Sequence, residues 1–240
     1  SLLPEHHAVG MPTHKPRFRD WAGVGDRTVT YGEYFGVVQA VAERVLRLAV
    51  IEPARWTEVI AEFDRLPEAS RTSAIAHLEE LNTDGLEEGE PKAIWSALED
   101  FVRRHREFPD ADWSVAEEWL TSLSAIAARL RPVRPSEQHR WLFDNWHPDL
   151  GASYRDDYEA GEREVNRSRE RAVAQIIADE GFSAVTALAQ DVKLPWAVGF
   201  ALAGSGGEFD LEALSLLDSE DTSLVQFAEG FARTRGAGEA

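Results

Sequence analysis

Histidine is the side chain best placed to do chemistry near neutral pH, and five of the chain's seven histidines fall in two places. His6, His7 and His14 could offer three imidazoles to a metal, because a catalytic zinc site needs only three protein ligands. Neighbouring side chains on an extended segment point to opposite faces, so His6 and His7 converge only in a special loop, and their spacing matches no metal signature. His139 and His147 flank Trp141 and Trp146, with Asp144 and Asp149 beside them, and could supply a general acid and base. A loop anchored by its tryptophans, its polar groups hydrogen-bonded, explains the same residues with fewer coincidences. His105 lies on the apolar side of its helix and reads as a core or boundary histidine, and His77 sits among polar positions.

Other chemistry leaves no pattern. There is no G-x-x-x-x-G-K-[ST], and Gly204-Ser205-Gly206-Gly207 lacks both the lysine and the preceding strand of a phosphate loop. No G-x-S-x-G nucleophile elbow occurs, and the absence of Cys excludes disulfides and thiolate chemistry. With 43 Asp and Glu, no carboxylate pair stands out. The expectation is a chain without catalytic residues, metal or cofactor.

Contact surfaces are better candidates. In an acidic chain the cluster His6, His7, His14, Lys15, Arg17 and Arg19 is out of character. It is either an arm pinned by Phe18 and Trp21, its charges paired with acidic helices, or a surface for a partner. Trp113 and Trp146 lie in loops beside aspartates and could anchor a partner. The acidic stretch from Glu79 to Glu90 could seat a basic peptide.

The formal charge of −18 repels phosphate backbones, which disfavours nucleic acid as a partner. No run of eighteen apolar residues and no basic, apolar leader appear, so no membrane span is expected and the cytoplasm is the default location. Lysine occurs only at Lys15, Lys92 and Lys193, a bias that points to a GC-rich bacterial genome. The opening Ser-Leu-Leu-Pro and the single Met11 suggest a piece of a longer protein.

Helices must position these residues. Residues 1–29 carry Pro4, Pro12 and Pro16 with no periodicity and read as an extended arm. A capping box, Thr30 with Glu33, opens a helix to about Val50 whose inner face is Tyr34, Val37, Val38, Val41, Val45 and Leu48. Pro53 restarts the chain with Trp56, Val59, Ile60 and Phe63, and a third helix from about Glu68 to Asn82 follows Pro67. Pro91 opens another, and Ser114 with Glu117 forms a second capping box ahead of Trp119, Leu120, Leu123 and Ile126. The longest helix runs from about Ser153 to Glu180 and stops at Gly181, a residue able to take positive φ, with Ser183 capping the next. Trp196 to Ala203 is apolar nearly all round, which requires cover from neighbouring helices. Asp210 caps a helix to Leu217, and a last helix spans about Thr222 to Arg233. Only the weak alternation of Val24 to Tyr31 hints at a strand.

The class is all-α: about ten helices in an irregular bundle or α-solenoid-like array behind an extended N-terminal arm. The expected division is 1–29 arm, 30–150 helical subdomain and 151–240 long helix with short helix pairs. Pro-opened helices bearing Trp recur at Pro53 with Trp56, Pro91 with Trp95 and Pro195 with Trp196. With the short pairs from Gly181 to Arg233, this pattern resembles the HEAT-like helical-repeat regions of large multidomain bacterial proteins. The resemblance implies a non-catalytic scaffold or interaction module acting on a protein partner or a neighbouring domain. The competing expectation is a small metal-dependent hydrolase built on the N-terminal histidines or the His139 to His147 loop.

Overall fold

The computed structural model describes residues 31–87, 89–150, 157–205 and 208–237. The arm, its cationic cluster and Thr30 of the first capping box lie outside them. The protein is all-α, with eleven α-helices and no strand among the described residues. No helix there is long and apolar enough to cross a membrane. The chain forms two compact units, one of residues up to Phe101 with Val115–Arg129, the other of Val102–Ser114 with Leu130 onward.

In the first unit, α1 (Tyr31–Ile51) buries Ala42, Leu46 and Ala49, one turn apart, while Val38, Val41 and Val45 are half-buried and Val37 is exposed. The deepest stripe therefore combines Leu46 with two alanines, which a reading of bulky positions passes over. Pro53 starts a 3-10 turn (Pro53–Arg55) that leads into α2 (Trp56–Ala61), and a second 3-10 turn (Phe63–Arg65) precedes α3 (Glu68–Glu79). Arg71 of α3 holds that turn by donating to the Phe63 carbonyl at 3.2 Å and to the Asp64 carbonyl. Phe63, fully buried, meets the edges of Phe101 at 5.7 Å and Trp119 at 6.0 Å, rings brought by α4 (Glu90–Glu107) and α5 (Glu117–Leu130). Arg129 donates to the Leu78 and Leu81 carbonyls at 2.7 and 2.9 Å, satisfying the open end of α3. One expectation fails: α5 begins at Glu117 rather than Val115, and the Ser114 hydroxyl donates to the His105 carbonyl at 3.1 Å instead of capping α5.

The second unit contains α6 (Pro135–His139), a 3-10 turn (Arg140–Phe143), α7 (Tyr158–Glu180), α8 (Phe182–Asp191), α9 (Pro195–Gly204), α10 (Asp210–Ser215) and α11 (Thr222–Ala237). Asp157 caps α7 by accepting from the Ala160 amide at 2.9 Å. At the other end Gly181 takes φ 82° and serves as both C-cap of α7 and N-cap of α8, so Ser183 lies inside α8 and does not cap it. Asp210 likewise is the first residue of α10, behind the cap Phe209.

The apolar α9 is covered as its composition requires. Ala197, Val198, Ala201, Leu202 and Ala203 pack with Val173 and Ile176 of α7, Val185 and Leu188 of α8, and Phe227, Ala228 and Phe231 of α11. Where α9 and α11 cross, two glycines remove the spacing that side chains impose. A Cβ on Gly199 would overlap the Phe227 carbonyl, and one on Gly230 would overlap the Trp196 carbonyl. The backbone of Trp196 is thus seated directly on α11.

Candidate functional site

Around that seat, three elements line a cleft of about 170 Å³. Helix α7 contributes Glu162, Val165, Asn166 and Arg169, whose spacings of three, one and three place them on one face. Helix α9 contributes Trp196 and Phe200, one turn apart, and the loop after the Arg140–Phe143 turn contributes Trp146 and His147.

That loop is fixed from below by a buried cation. Arg169 is only 4% exposed; its Nε donates to the Leu142 carbonyl at 2.9 Å and its Nη2 to the Asn145 and Trp146 carbonyls at 2.8 and 3.2 Å. Three carbonyl dipoles replace part of the water that the guanidinium loses, and its fork fixes the direction of the chain at each. The Asp144 carboxylate accepts from the Lys193 amide at 3.1 Å, and the Phe143 carbonyl accepts from the Leu194 amide at 3.0 Å, tying the loop to the approach of α9. The Trp146 ring leans on Trp196 with centroids 4.9 Å apart and planes at 44°. Even so, 57% of Trp146 remains open to solvent. His147 presents its ring to Tyr158, centroids 5.5 Å apart, with a 3.4 Å contact from Nε2 to the phenol oxygen.

On α7 the neighbouring Glu159 pairs with Arg163 at 3.6 Å, and Glu164 pairs with Arg167 at 3.6 Å and Arg171 at 2.7 Å. Glu162 has no such pair among the described residues, so an exposed carboxylate stands on the cleft wall. Stacking faces, one carboxylate and one imidazole suit recognition of a planar or charged group.

The sequence candidates separate. His6, His7, His14, Lys15, Arg17 and Arg19 lie outside the described residues. Trp113 meets the edge of the buried His105 at 4.9 Å and Phe108 at 5.8 Å, with the Arg104 guanidinium 4.9 Å over its ring, so most of it covers the end of α4. Trp146 belongs to the cleft. His139 and His147 face different partners, His139 lying 3.0 Å from the Gln175 side-chain oxygen. Asp144 binds the Lys193 amide and lies 3.5 Å from Arg140. Those contacts are the hydrogen-bonded, Trp-anchored loop that competed with an acid and base pair. Among the described residues no three His, Cys, Asp or Glu side chains gather to hold a metal. In the acidic stretch, Glu90 accepts from the Glu87 amide at 2.9 Å and Asn82 from the Asp84 amide at 3.0 Å, local turn contacts within the run.

The sequence alone does not single out Arg169, and nothing in it groups Glu162, Asn166, Trp196 and Phe200. One signal was present: Arg169 follows Val165 by four and precedes Ala172, Val173 and Ile176 by three, four and seven, the register of the buried stripe. A charge in that register has to meet polar groups inside.

No protein-family model, curated protein or solved structure matches the chain. What its own architecture defines is an all-α protein carrying an aromatic cleft with a carboxylate on its wall.

Proposed function

We propose that this chain is a non-catalytic helical interaction module of a larger bacterial protein, of the HEAT-like repeat kind, and that it presents the Trp146 cleft to a protein partner. The observation that supports this most is Trp146, an indole 57% exposed on a loop held by three hydrogen bonds from a buried arginine. Tryptophan is enriched among the few residues that dominate binding energy. A ring already fixed in place loses little conformational entropy when a partner covers it, so more of the burial energy is left for affinity. The hydrolase alternative gains nothing from His139 and His147, which are engaged by Gln175 and Tyr158.

The test is co-purification from the native host with the wild-type chain, Trp146→Ala and Leu211→Ala as an exposed control, followed by direct titration of the recovered protein. A partner retained by wild type and L211A should bind W146A at least about thirtyfold more weakly, as a hot spot of 2 kcal/mol demands. If every recovered protein binds W146A as well as wild type, the cleft is not the contact surface.

A further inference from the structure

We infer that the cleft takes a cationic side chain, an arginine or lysine of the partner, with Trp146 as the stacking face and Glu162 as the counter-charge. This inference rests on the reading of the cleft as a partner surface and adds the chemistry of what enters it.

Three observations converge on a cation. The lining includes the rings of Trp146, Trp196 and Phe200, and the faces of such rings attract positive charge through their quadrupoles. Among the described residues Glu162 lacks the ion pairs that Glu159 and Glu164 make on the same helix, so there its carboxylate is left to meet an incoming cation. The formal charge of −18 draws positive segments toward the molecule before contact. Arg169 is the opposing feature, a positive charge on the lining. Its Nε and Nη2 point at the Leu142, Asn145 and Trp146 carbonyls, whose dipoles offset its field, and it is almost wholly buried. An anionic group in the cleft would meet the Glu162 carboxylate on the same lining. Arginine fits the site better than lysine, because a planar guanidinium can stack on the indole while its edge donates to the carboxylate.

The experiment follows the indole N–H signals of Trp146 and Trp196 by ¹⁵N NMR while three acetylated, amidated peptides are titrated: Gly-Gly-Arg-Gly-Gly and its Lys and Glu counterparts. The Arg and Lys peptides should move both signals along saturable curves, the Arg peptide more tightly. Glu162→Gln should weaken that binding by about two- to fivefold, the range of an exposed ion pair, while Glu68→Gln, an equal loss of charge elsewhere, should not. Signals that move as far with the Glu peptide, or with none of the three, would overturn the assignment. A partner that requires Trp146 but binds E162Q as tightly as wild type would overturn it too, leaving the module reading intact. Failure to find any Trp146-dependent partner would instead remove the reading on which it rests.

Discussion

The two compact units solve the packing of helices in opposite ways. The first unit fills the space between helices with rings, Phe63 meeting Phe101 and Trp119 at steep angles and Trp56 meeting His77 at a tilt. The second removes side chains at its tightest crossing, where Gly199 and Gly230 let α9 and α11 touch backbone to backbone. Rings tolerate small adjustments because each contact is one of many van der Waals contacts. A backbone contact has no such slack. The candidate site sits on the second kind of packing, since the carbonyl that Gly230 accommodates belongs to Trp196, the ring that supports Trp146.

The largest expected effect tests the ring-filled unit. Phe63→Ala should cost about 3 to 5 kcal/mol in denaturant unfolding, whereas Phe63→Leu, which keeps much of the volume, should cost less than half of that. In the second unit a single added methyl should approach the same scale: Gly230→Ala should destabilise by about 3 kcal/mol and shift the Trp146 and Trp196 indole signals together. If G230A unfolds like wild type, the backbone contact is not what fixes α9.

Arg169 gives a contrast inside the second unit. Arg169→Met keeps the aliphatic stem but leaves the Leu142, Asn145 and Trp146 carbonyls without their donor, a loss of about 2 to 3 kcal/mol. Hydrogen exchange at residues 144–147 should rise while exchange in α1 to α3 stays unchanged.

How much of this was legible in the sequence divides along the same line. The aromatic core was readable because Trp56, Val59, Ile60 and Phe63 recur at helical spacing and all four are buried. Gly181 was readable because a glycine just past the last periodic residue of a helix can end it with positive φ, and it takes φ 82°. Gly199 and Gly230 were not, because each is significant only opposite a carbonyl some thirty residues away. A single chain's periodicity does not say which helices cross. The pairing of Trp146 with Trp196 is tertiary for the same reason, although the loop position of Trp146 already marked it as a candidate anchor. Ser114 misled because the capping-box pattern is local, while the His105 carbonyl that takes its hydroxyl comes from the preceding helix.

A smaller effect concerns acid. Burial alone would push the Glu180 carboxyl up, but the Ser136 amide at 2.7 Å, the Arg134 side chain at 2.7 Å and the Ser136 hydroxyl at 2.9 Å together hold it below the ordinary carboxylate range. A depressed folded-state pKa contributes stability at neutral pH, which is lost as pH falls from about 4.3, the unfolded value, through the folded one. Glu180→Gln should therefore lower stability at pH 7 and flatten its decline below pH 4, measured by unfolding across that range. The smallest effect on stability belongs to Trp146→Ala, within about 0.5 kcal/mol of wild type, because an exposed ring contributes little to folding.

The most direct measurement keeps Trp146 and places a photo-crosslinking amino acid at position 147, exposed on the same cleft, in the native host, and in a second strain at position 211, where Leu211 is 83% exposed and outside the cleft. If the cleft is the contact surface, irradiation yields a discrete adduct of defined mass from position 147 and none from position 211. No adduct from 147, or the same products from both positions, would mean that Trp146 is simply an exposed ring and that the chain meets its partner elsewhere.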